Sequence, residues 1–331
     1  MNSPRKTALR RSLARWTLAA FALAGTGPAW AAEAFPTKPI RIIVTSAAGG
    51  SLDVTTRHVA RAMSEKLGQQ IVVENVVGAG GLIAIRNVKA APADGYTLLA
   101  AVNTVLIQQT VAADPGYEVA KDFVGVGPMT RAPFVMVTSA TQGDKTFAEV
   151  IARAKADPGK ITYASAGIGS TTHLAAAMFA QQAGVNLTHI PYKGNAAAWA
   201  DLMAGRVDLL FEGAGGAANM IRDGRLRGLA ITSTRRLDSL PDVPTIAERG
   251  VPSYSFYFWV GLLAPAATPK EVLQTLSGAM RSALSNAELK TRFQAEGAEV
   301  MSMSPDEFTQ FLKNESSVVA KAVADAGVPK Q

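Results

Sequence analysis

The chain has 331 residues, of which 48% are hydrophobic and 18% charged, and it contains no cysteine. This composition excludes a disordered or collagen-like chain. The lack of cysteine excludes disulfides, zinc–thiolate sites, a cysteine nucleophile and a lipoprotein anchor. Thirty-three basic residues against 26 acidic ones give a formal net charge of +7, and five of the basic residues lie among the first 15.

Residues 1–31 have the pattern of a cleaved secretory signal peptide. A basic, acid-free start is followed by an apolar run to about Gly25, by Gly27-Pro28 and by the small-residue sequence Ala29-Trp30-Ala31. The apolar run is shorter than the roughly 20 residues that span a bilayer, although a membrane anchor remains the alternative. Cleavage after Ala31 leaves 300 residues with 28 basic and 26 acidic side chains, a net charge of +2. We therefore expect a periplasmic protein with no nucleic-acid partner.

Downstream of the signal peptide, short β-branched runs alternate with helical stretches. Strands are predicted over residues 40–44, 70–74, 96–101, 161–163, 188–191, 207–211 and 229–232. This alternation predicts an α/β protein whose parallel sheets carry helices on both faces. Helices are predicted over 270–284, 287–295 and 305–326, with Thr268 and Ser304, each before a proline, as hydroxyl caps of the first and the last.

Two long extended segments, 122–139 and 254–265, lack a helical period and contain prolines and aromatic residues. Such segments suit a chain that crosses between domains. The sequence therefore predicts a discontinuous first domain, residues 32–131 plus 255–331, and a second domain, residues 132–254.

A similar loop follows a predicted strand in each domain. Residues 46–51 read Ser-Ala-Ala-Gly-Gly-Ser and residues 165–171 read Ser-Ala-Gly-Ile-Gly-Ser-Thr, and each run precedes a helix. A helix N-terminus offers unpaired N–H groups and a partial positive charge, and glycine lets a ligand approach the backbone. Each loop is thus a candidate anion cradle, and the pair suggests a small carboxylate held between two domains.

The candidate ligand-binding residues share a position at, or just beyond, the end of a predicted strand. They are Ser46, Ala47, Gly50, Ser51, Asp53, Asn103, Thr104, Ala166, Gly167, Ser170, Thr171, His173, Tyr192 and Glu212. Asp53 either contacts the ligand or supports its loop, and the same alternatives hold for Glu212. The three histidines lack metal-ligand spacing, so no metal and no cofactor are expected.

Two catalytic interpretations carry less weight. The run 213–218 fits the dinucleotide pattern G-x-G-x-x-A, but the next predicted strand does not end in an acid, as such a site requires. Ser170 with His173 is the only nearby pair that could serve an exported hydrolase, and no orienting acid is evident in the sequence.

Several motifs, in order, resemble one known family. They include PIRIIV at 39–44, GGSLD at 49–53, ADGYTLL at 93–99, PYKG at 191–194, LPDVPT at 240–245 and GLLAP at 261–265. In this order and spacing the chain resembles the substrate-binding proteins of tripartite tricarboxylate transporters, the Bug family, from about residue 35 to 328.

The resemblance implies a type II periplasmic-binding-protein fold: two doubly wound α/β domains, joined by two crossing strands, with a ligand cleft between them. It implies a receptor that delivers a small organic acid to membrane permease subunits without chemistry. Separately from the resemblance, we expect the protein to be a monomer. An exported hydrolase and an orphan signalling receptor remain the alternatives.

The chain also departs from the family pattern. Where the family's first loop usually reads F-A-P-G-G-G-T-D, this chain has SAAGGSLD at 46–53, and E-N-R-P-G-A-G-G is ENVVGAGG at 74–81. An aspartate is frequent in the family where Glu212 stands. The resemblance therefore implies a carboxylate ligand but leaves its size and identity open.

Overall fold

A computed structural model describes residues 35–331, so the predicted signal peptide lies outside the described residues. The strands are β1 (Ile40–Val44), β2 (Ile71–Asn75), β3 (Thr97–Ala101), β4 (Phe123–Ser139), β5 (Thr162–Ser165), β6 (Thr188–Pro191), β7 (Leu209–Gly213), β8 (Leu226–Ile231), β9 (Tyr257–Pro265) and β10 (Glu299–Val300).

The helices alternate with these strands, as the hydrophobic pattern predicts. They are α1 (Ser51–Leu67), α2 (Leu82–Lys89), α3 (Thr104–Val111), α4 (Val119–Asp122), α5 (Phe147–Ala156), α6 (Thr171–Ala183), α7 (Asn195–Met203), α8 (Ala214–Arg222), α9 (Lys270–Leu284), α10 (Ala287–Ala295) and α11 (Pro305–Asp325). Short 3₁₀ turns occupy Ala79–Gly81 and Ala247–Arg249.

The sheet has two parallel halves. Its order is β2-β1-β3-β9-β4-β7-β5-β6, and β8 and β10 also pair with β4. In the first half β1 is parallel to β2 and β3, and in the second half β5 is parallel to β6 and β7. The antiparallel strands β4 and β9 lie between the halves.

Strand β4 continues from one half into the other. Its residues 123–133 pair with β9, whereas residues 134–139 pair with β7 and β8. Register shifts between Gly125 and Gly127, and between Pro128 and Thr130, interrupt its pairing with β9. Such irregularities bend a strand and increase its local twist. The prediction that segments 122–139 and 254–265 are extended is confirmed over 123–139 and 257–265, whereas Asp122 ends helix α4.

Apolar burial explains the local elements. Four of the five side chains of β1 are buried, as expected for a parallel strand covered on both faces. Helix α1 buries Val59, Ala60 and Met63 and ends at Gly68, whose φ of 64° suits a residue without a side chain. This buried face of α1 packs against its neighbours in the fold.

The two predicted hydroxyl caps differ in outcome. Ser304 caps α11 and forms a reciprocal capping box with Glu307, as predicted. The prediction for Thr268 is wrong, because Pro269 occupies the cap position of α9 and the Thr268 hydroxyl donates to the Pro265 carbonyl at 2.7 Å. The threonine lies one residue too early to reach the first turn.

Across residues 35–331, the helices are all too short or too polar to span a bilayer. Within this range no group of three or more His, Asp or Glu side chains is arranged to hold a metal ion.

Candidate functional site

Loops that follow strands in both halves of the sheet meet at one place. The hydroxyls of Thr104, which begins α3, and Thr171, which begins α6, lie 2.9 Å apart. A Cβ added to Gly213, at the end of β7, would lie 2.4 Å from Ser51 Oγ, at the start of α1. Residues that the sequence assigns to different domains are therefore neighbours in the fold.

The first loop (residues 45–50, between β1 and α1) is organised by a buried carboxylate. Asp53, 3% exposed, accepts hydrogen bonds from Gly49 N, Arg57 Nε and Asn75 Nδ2, each at 2.9 Å. Burial acts to raise the pKa of the Asp53 carboxyl, but these bonds, led by Arg57, bring it below the usual value. Asn75 also donates to the Ser46 carbonyl at 2.9 Å. The Asp53 side chain therefore supports the loop.

The N-terminus of α1 keeps its binding capacity. Gly50 is its cap residue and has no side chain that could accept from the first turn. The nearby hydroxyl oxygen of Ser46 is buried and has no hydrogen-bond partner in residues 35–331. Unpaired helix N–H groups with an adjacent hydroxyl donor form an anion-binding arrangement that needs no cationic side chain.

The second loop (residues 166–170, between β5 and α6) is bonded to itself. The hydroxyls of Ser165, Ser170 and Thr172 accept from backbone N–H groups of Gly167, His173 and Ala166, at 3.1, 3.2 and 3.0 Å respectively. Short polar side chains satisfy nearby backbone donors readily. The two Gly-Ser loops look alike in sequence, but only the first leads into an uncapped helix.

Stacked histidines underlie the second loop. The rings of His173 and His189 are 3.8 Å apart and nearly parallel, at 13°. His173 Nδ1 accepts from Gly169 N at 3.2 Å, and His189 Nε2 bonds Ser165 Oγ at 2.6 Å. Burial lowers the pKa of His173 to about 3, with a further contribution from His189, and that of His189 to about 4. Both rings are therefore neutral near pH 7 and act as hydrogen-bonding supports for the loop.

Glu212, at the end of β7, is held by neutral donors. Its carboxylate accepts from Trp199 Nε1 at 2.9 Å, Gly213 N at 3.0 Å and Asn195 Nδ2 at 3.3 Å. Burial raises the pKa of the Glu212 carboxyl despite these three bonds. Asn195 begins α7 and Gly213 precedes α8, and both helices have glycine caps. The carboxylate therefore lies at two helix N-termini, where a negative charge is favoured.

Two other candidate side chains are engaged with the protein. Asn103 Oδ1 accepts from Trp259 N at 3.0 Å, which ties the end of β3 to β9. The Tyr192 hydroxyl donates to Asp201 Oδ2 at 2.7 Å. The Tyr192 loop still reaches the first loop, since a Cβ on Gly194 would lie 3.9 Å from the Ala47 Cβ.

The geometry disfavours the hydrolase interpretation. Ser170 Oγ bonds the backbone N–H of His173, not its ring, and the ring nitrogen Nδ1 already accepts from Gly169. A general base must reach the proton that it removes from the nucleophile. Among residues 35–331 no carboxylate bonds the His173 ring, so no triad forms.

The candidate residues thus fall into two groups, and their contact with a ligand stays a prediction. Side-chain partners within the protein hold Asp53, Asn103, Thr104, Ser170, Thr171, His173, Tyr192 and Glu212. The others lie on the loops that meet at the site or, for Ser51, at the start of α1: Ser46, Ala47, Gly50, Ser51, Ala166 and Gly167.

Sequence reasoning missed three polar residues that shape the site, Asn75, Gln108 and Trp199, and it includes Asn195 only as part of the segment 192–195 after a strand end. Asn75 ends β2 and Asn195 begins α7, so their positions at element ends were a usable signal. Gln108 and Trp199 lie inside helices, where a polar side chain carries no positional signal. Gln108 is 1% exposed, and its Nε2 donates to the Ile168 carbonyl at 2.9 Å.

Known proteins resemble the chain over most of its length. The model of the tripartite tricarboxylate transporter family receptor matches residues 55–327. Protein BugT of Bordetella pertussis is 34% identical over 308 residues, covering 92% of this chain and 94% of BugT.

Solved structures agree with the sequence relatives. The periplasmic binding protein BugD superposes with a TM-score of 0.85 at 33% identity, over 90% of this chain and 100% of BugD. A Rhodopseudomonas palustris protein solved with adipate superposes with a TM-score of 0.85 at 30% identity, over 90% of this chain and 100% of that protein. MatC of the same organism, solved with malate, superposes with a TM-score of 0.82 at 28% identity, over 87% of this chain and 100% of MatC.

These likenesses confirm the fold class that the motifs implied: a mixed α/β periplasmic-binding-protein fold with two crossing strands. The matched family region covers more than half of the chain, and BugT is matched almost end to end. The chain therefore belongs to the tripartite tricarboxylate transporter receptor family, whose Bug members are among its relatives.

Proposed function

We propose that this protein is a periplasmic solute receptor that binds a small organic acid between the two halves of its sheet and delivers it to membrane permease subunits. The observation that carries the proposal is the N-terminus of α1, whose cap residue is a glycine, with Gly213 of the other half against Ser51. The Ser46 hydroxyl, in the loop that leads into this helix, has no partner among residues 35–331. Adipate and malate in two structural relatives support a carboxylate ligand.

The energetics are compatible with such a site. A hydrogen bond to a charged group contributes about 1.5–3 kcal/mol. A micromolar dissociation constant corresponds to about 8 kcal/mol, so a few N–H and O–H donors suffice once ordering costs are subtracted. The N-terminal partial charge of α1 adds to these bonds. Asp53 lies in the first turn of α1, and its ion pair with Arg57 reduces the repulsion that this carboxylate exerts on an anionic ligand.

Location, partners and domain division belong to the same proposal. The signal-peptide pattern of residues 1–31 supports export, and the family description supports permease partners. The passage of β4 and β9 between the halves supports domains at 32–131 plus 255–331 and at 132–254. We further propose that the protein binds without chemistry, uses no cofactor and acts as a monomer.

A thermal-shift and calorimetry screen of the mature chain tests the proposal. The panel holds adipate, malate, short monocarboxylates and aromatic acids, each paired with its uncharged amide. At 100 times the dissociation constant a ligand stabilises the fold by about 2.7 kcal/mol, so a bound acid raises Tm by several degrees. The amides should give no shift.

The matched variants are Ser46→Ala, which removes the free hydroxyl, and Asp223→Asn, an exposed acid beyond α8. We expect Ser46→Ala to weaken acid binding about tenfold, because one hydrogen bond to a charged group is lost. Asp223→Asn should leave it unchanged. A panel in which no acid binds, or in which the amides bind equally well, would contradict the proposed function.

A further inference from the structure

Helix α3 carries two polar side chains, one turn apart, that both contact the second loop region. The hydroxyls of Thr104 and Thr171 are 2.9 Å apart, and Thr171 N–H donates to Thr104 Oγ1 at 3.2 Å. Gln108 Nε2 donates to the Ile168 carbonyl at 2.9 Å. Because residues i and i+4 share a helix face, α3 presents both groups to the loop together.

The Gln108 amide is closely enclosed. Gly80, with φ of 60°, and Gly169, with φ of 70°, lie on either side of it. A Cβ added to Gly80 or to Gly169 would lie 2.0 or 2.6 Å from Gln108 Nε2. Two separate chain segments therefore close on the Gln108 side chain, Gly80 in the first half of the molecule and residues 168–169 in the second.

The contact between α3 and the second loop leaves one hydrogen-bonding group of Gln108 unsatisfied. Gln108 Oε1 is buried without a partner among residues 35–331, so only one end of this amide is satisfied while the loops touch. When the loops separate, water can bond both ends of the amide and both threonine hydroxyls. The net gain from contact is the small difference between these two states, because hydrogen bonds to water are exchanged for hydrogen bonds within the protein.

We propose that Thr104 and Gln108 form a latch that holds the two halves of the molecule together and sets how fast the ligand leaves. This inference rests on the proposed function, since it concerns a ligand enclosed between those halves. Opening must break the latch before release, whereas a ligand enters the open form, in which the latch is not made. Each hydrogen bond removed should lower the closed-to-open ratio about 2- to 10-fold.

Stopped-flow kinetics with adipate and with malate test the latch in the mature chain. The variants are Thr104→Val and Gln108→Met, which keep side-chain size and remove the hydrogen bonds. The control is Thr110→Val on the same helix, whose hydroxyl bonds only the Leu106 carbonyl, at 3.1 Å. We expect the dissociation rate to rise 2- to 10-fold in each latch variant, with the association rate within twofold of the parent. A purely structural role would lower the ligand-free Tm without this split.

Two results would overturn the latch: dissociation rates unchanged in both variants, or the same rise in Thr110→Val. A second measurement needs no ligand. The cysteine-free chain accepts spin labels at Lys66→Cys on α1 and Lys155→Cys on α5, both exposed. The latch variants should shift the label distances away from the parent's shortest population, and identical distributions would count against the latch. Should neither acid bind the parent, the kinetics use an acid that binds in the thermal-shift panel. Should no acid of that panel bind, the proposed function fails, and the distance distributions alone decide the latch.

Discussion

Two buried carboxylates near the site differ because their donors differ. Asp53 accepts a hydrogen bond from the charged guanidinium of Arg57, and its hydrogen bonds together hold the pKa of the carboxyl below the usual value in spite of burial. Glu212 receives only neutral N–H groups, and burial raises its pKa. Asp53 is therefore a permanent anion that shapes the first loop, whereas the charge of Glu212 is balanced only by backbone and side-chain dipoles.

The histidine pair makes stability depend on acid. Both folded pKa values lie below the ordinary value of 6.5, at about 3 for His173 and about 4 for His189. The unfolded chain therefore takes up protons first, and stability falls as the pH drops from about 6.5 towards 4. In this window each histidine contributes a slope of up to about 1.4 kcal/mol per pH unit. Thermal unfolding between pH 7 and 4.5 should show a falling Tm.

Substitutions separate this effect from general acid denaturation. His173→Asn places an amide oxygen near the position of Nδ1, and His189→Gln places one near Nε2, so both keep an acceptor that cannot be protonated in this range. We expect each to flatten the decline of Tm below pH 6.5. His58→Gln, at a half-buried histidine on α1, is the control and should change the slope less. An unchanged slope in both loop variants would contradict the assignment.

How much of the site could be foreseen depends on how local each interaction is. The sequence allows two interpretations of Asp53, and loop support is one of them. This role can be foreseen because its partners Gly49 and Arg57 lie within four residues of it. Gln108 and its partner Ile168 are 60 residues apart in the sequence, and no local sequence pattern predicts their contact. Polar groups buried by distant segments are decided by packing, so the sequence leaves them undetermined.

At the scale of elements, the N-termini of α1 and α6 show why similar sequences differ in use. Both helices follow a strand and a glycine-rich loop, yet Ser170 caps α6 while Gly50 leaves α1 without a side-chain cap. A serine in the cap position satisfies the first-turn donors, and a glycine leaves them available. One residue at this position therefore separates a self-contained turn from a candidate ligand site.

The capping box of α11 makes a stability prediction. Ser304 Oγ accepts from Glu307 N, and Glu307 Oε2 accepts from Ser304 N at 2.8 Å. Ser304→Ala removes the side-chain half of this exchange and should cost about 1 kcal/mol of unfolding free energy. Ser282→Ala, at an exposed position inside α9, is the control and should be neutral or slightly stabilising. Equal losses in urea unfolding of the two variants would contradict the capping role.

The two crossing strands govern the molecule as a whole. The sequence indicated both as long extended segments, and strands β4 and β9 confirm them. The strands that pair with β4 could not be predicted from the sequence. Ser139 of β4 pairs with a residue of β8 that lies 87 positions later in the chain, and Arg131 pairs with a residue of β10 that lies 168 positions later. The alternation of strands and helices along the sequence predicts the layers of such a fold. The order of the strands cannot be predicted from a local pattern, because it depends on contacts between residues that are far apart in the sequence.

A fold divided in this way should change shape when it binds. The halves are connected through β4 and β9, so a small bend in these strands can move whole loops, and a ligand between the loops favours the closed arrangement by its differential affinity. For 300 residues a compact chain has a radius of gyration of about 19 Å. We expect small-angle scattering of the mature chain to give a larger value without ligand and a decrease on saturation with a bound acid. The acid's uncharged amide should leave the profile unchanged. Identical profiles with and without an acid that calorimetry shows to be bound would mean that the halves move as one rigid body.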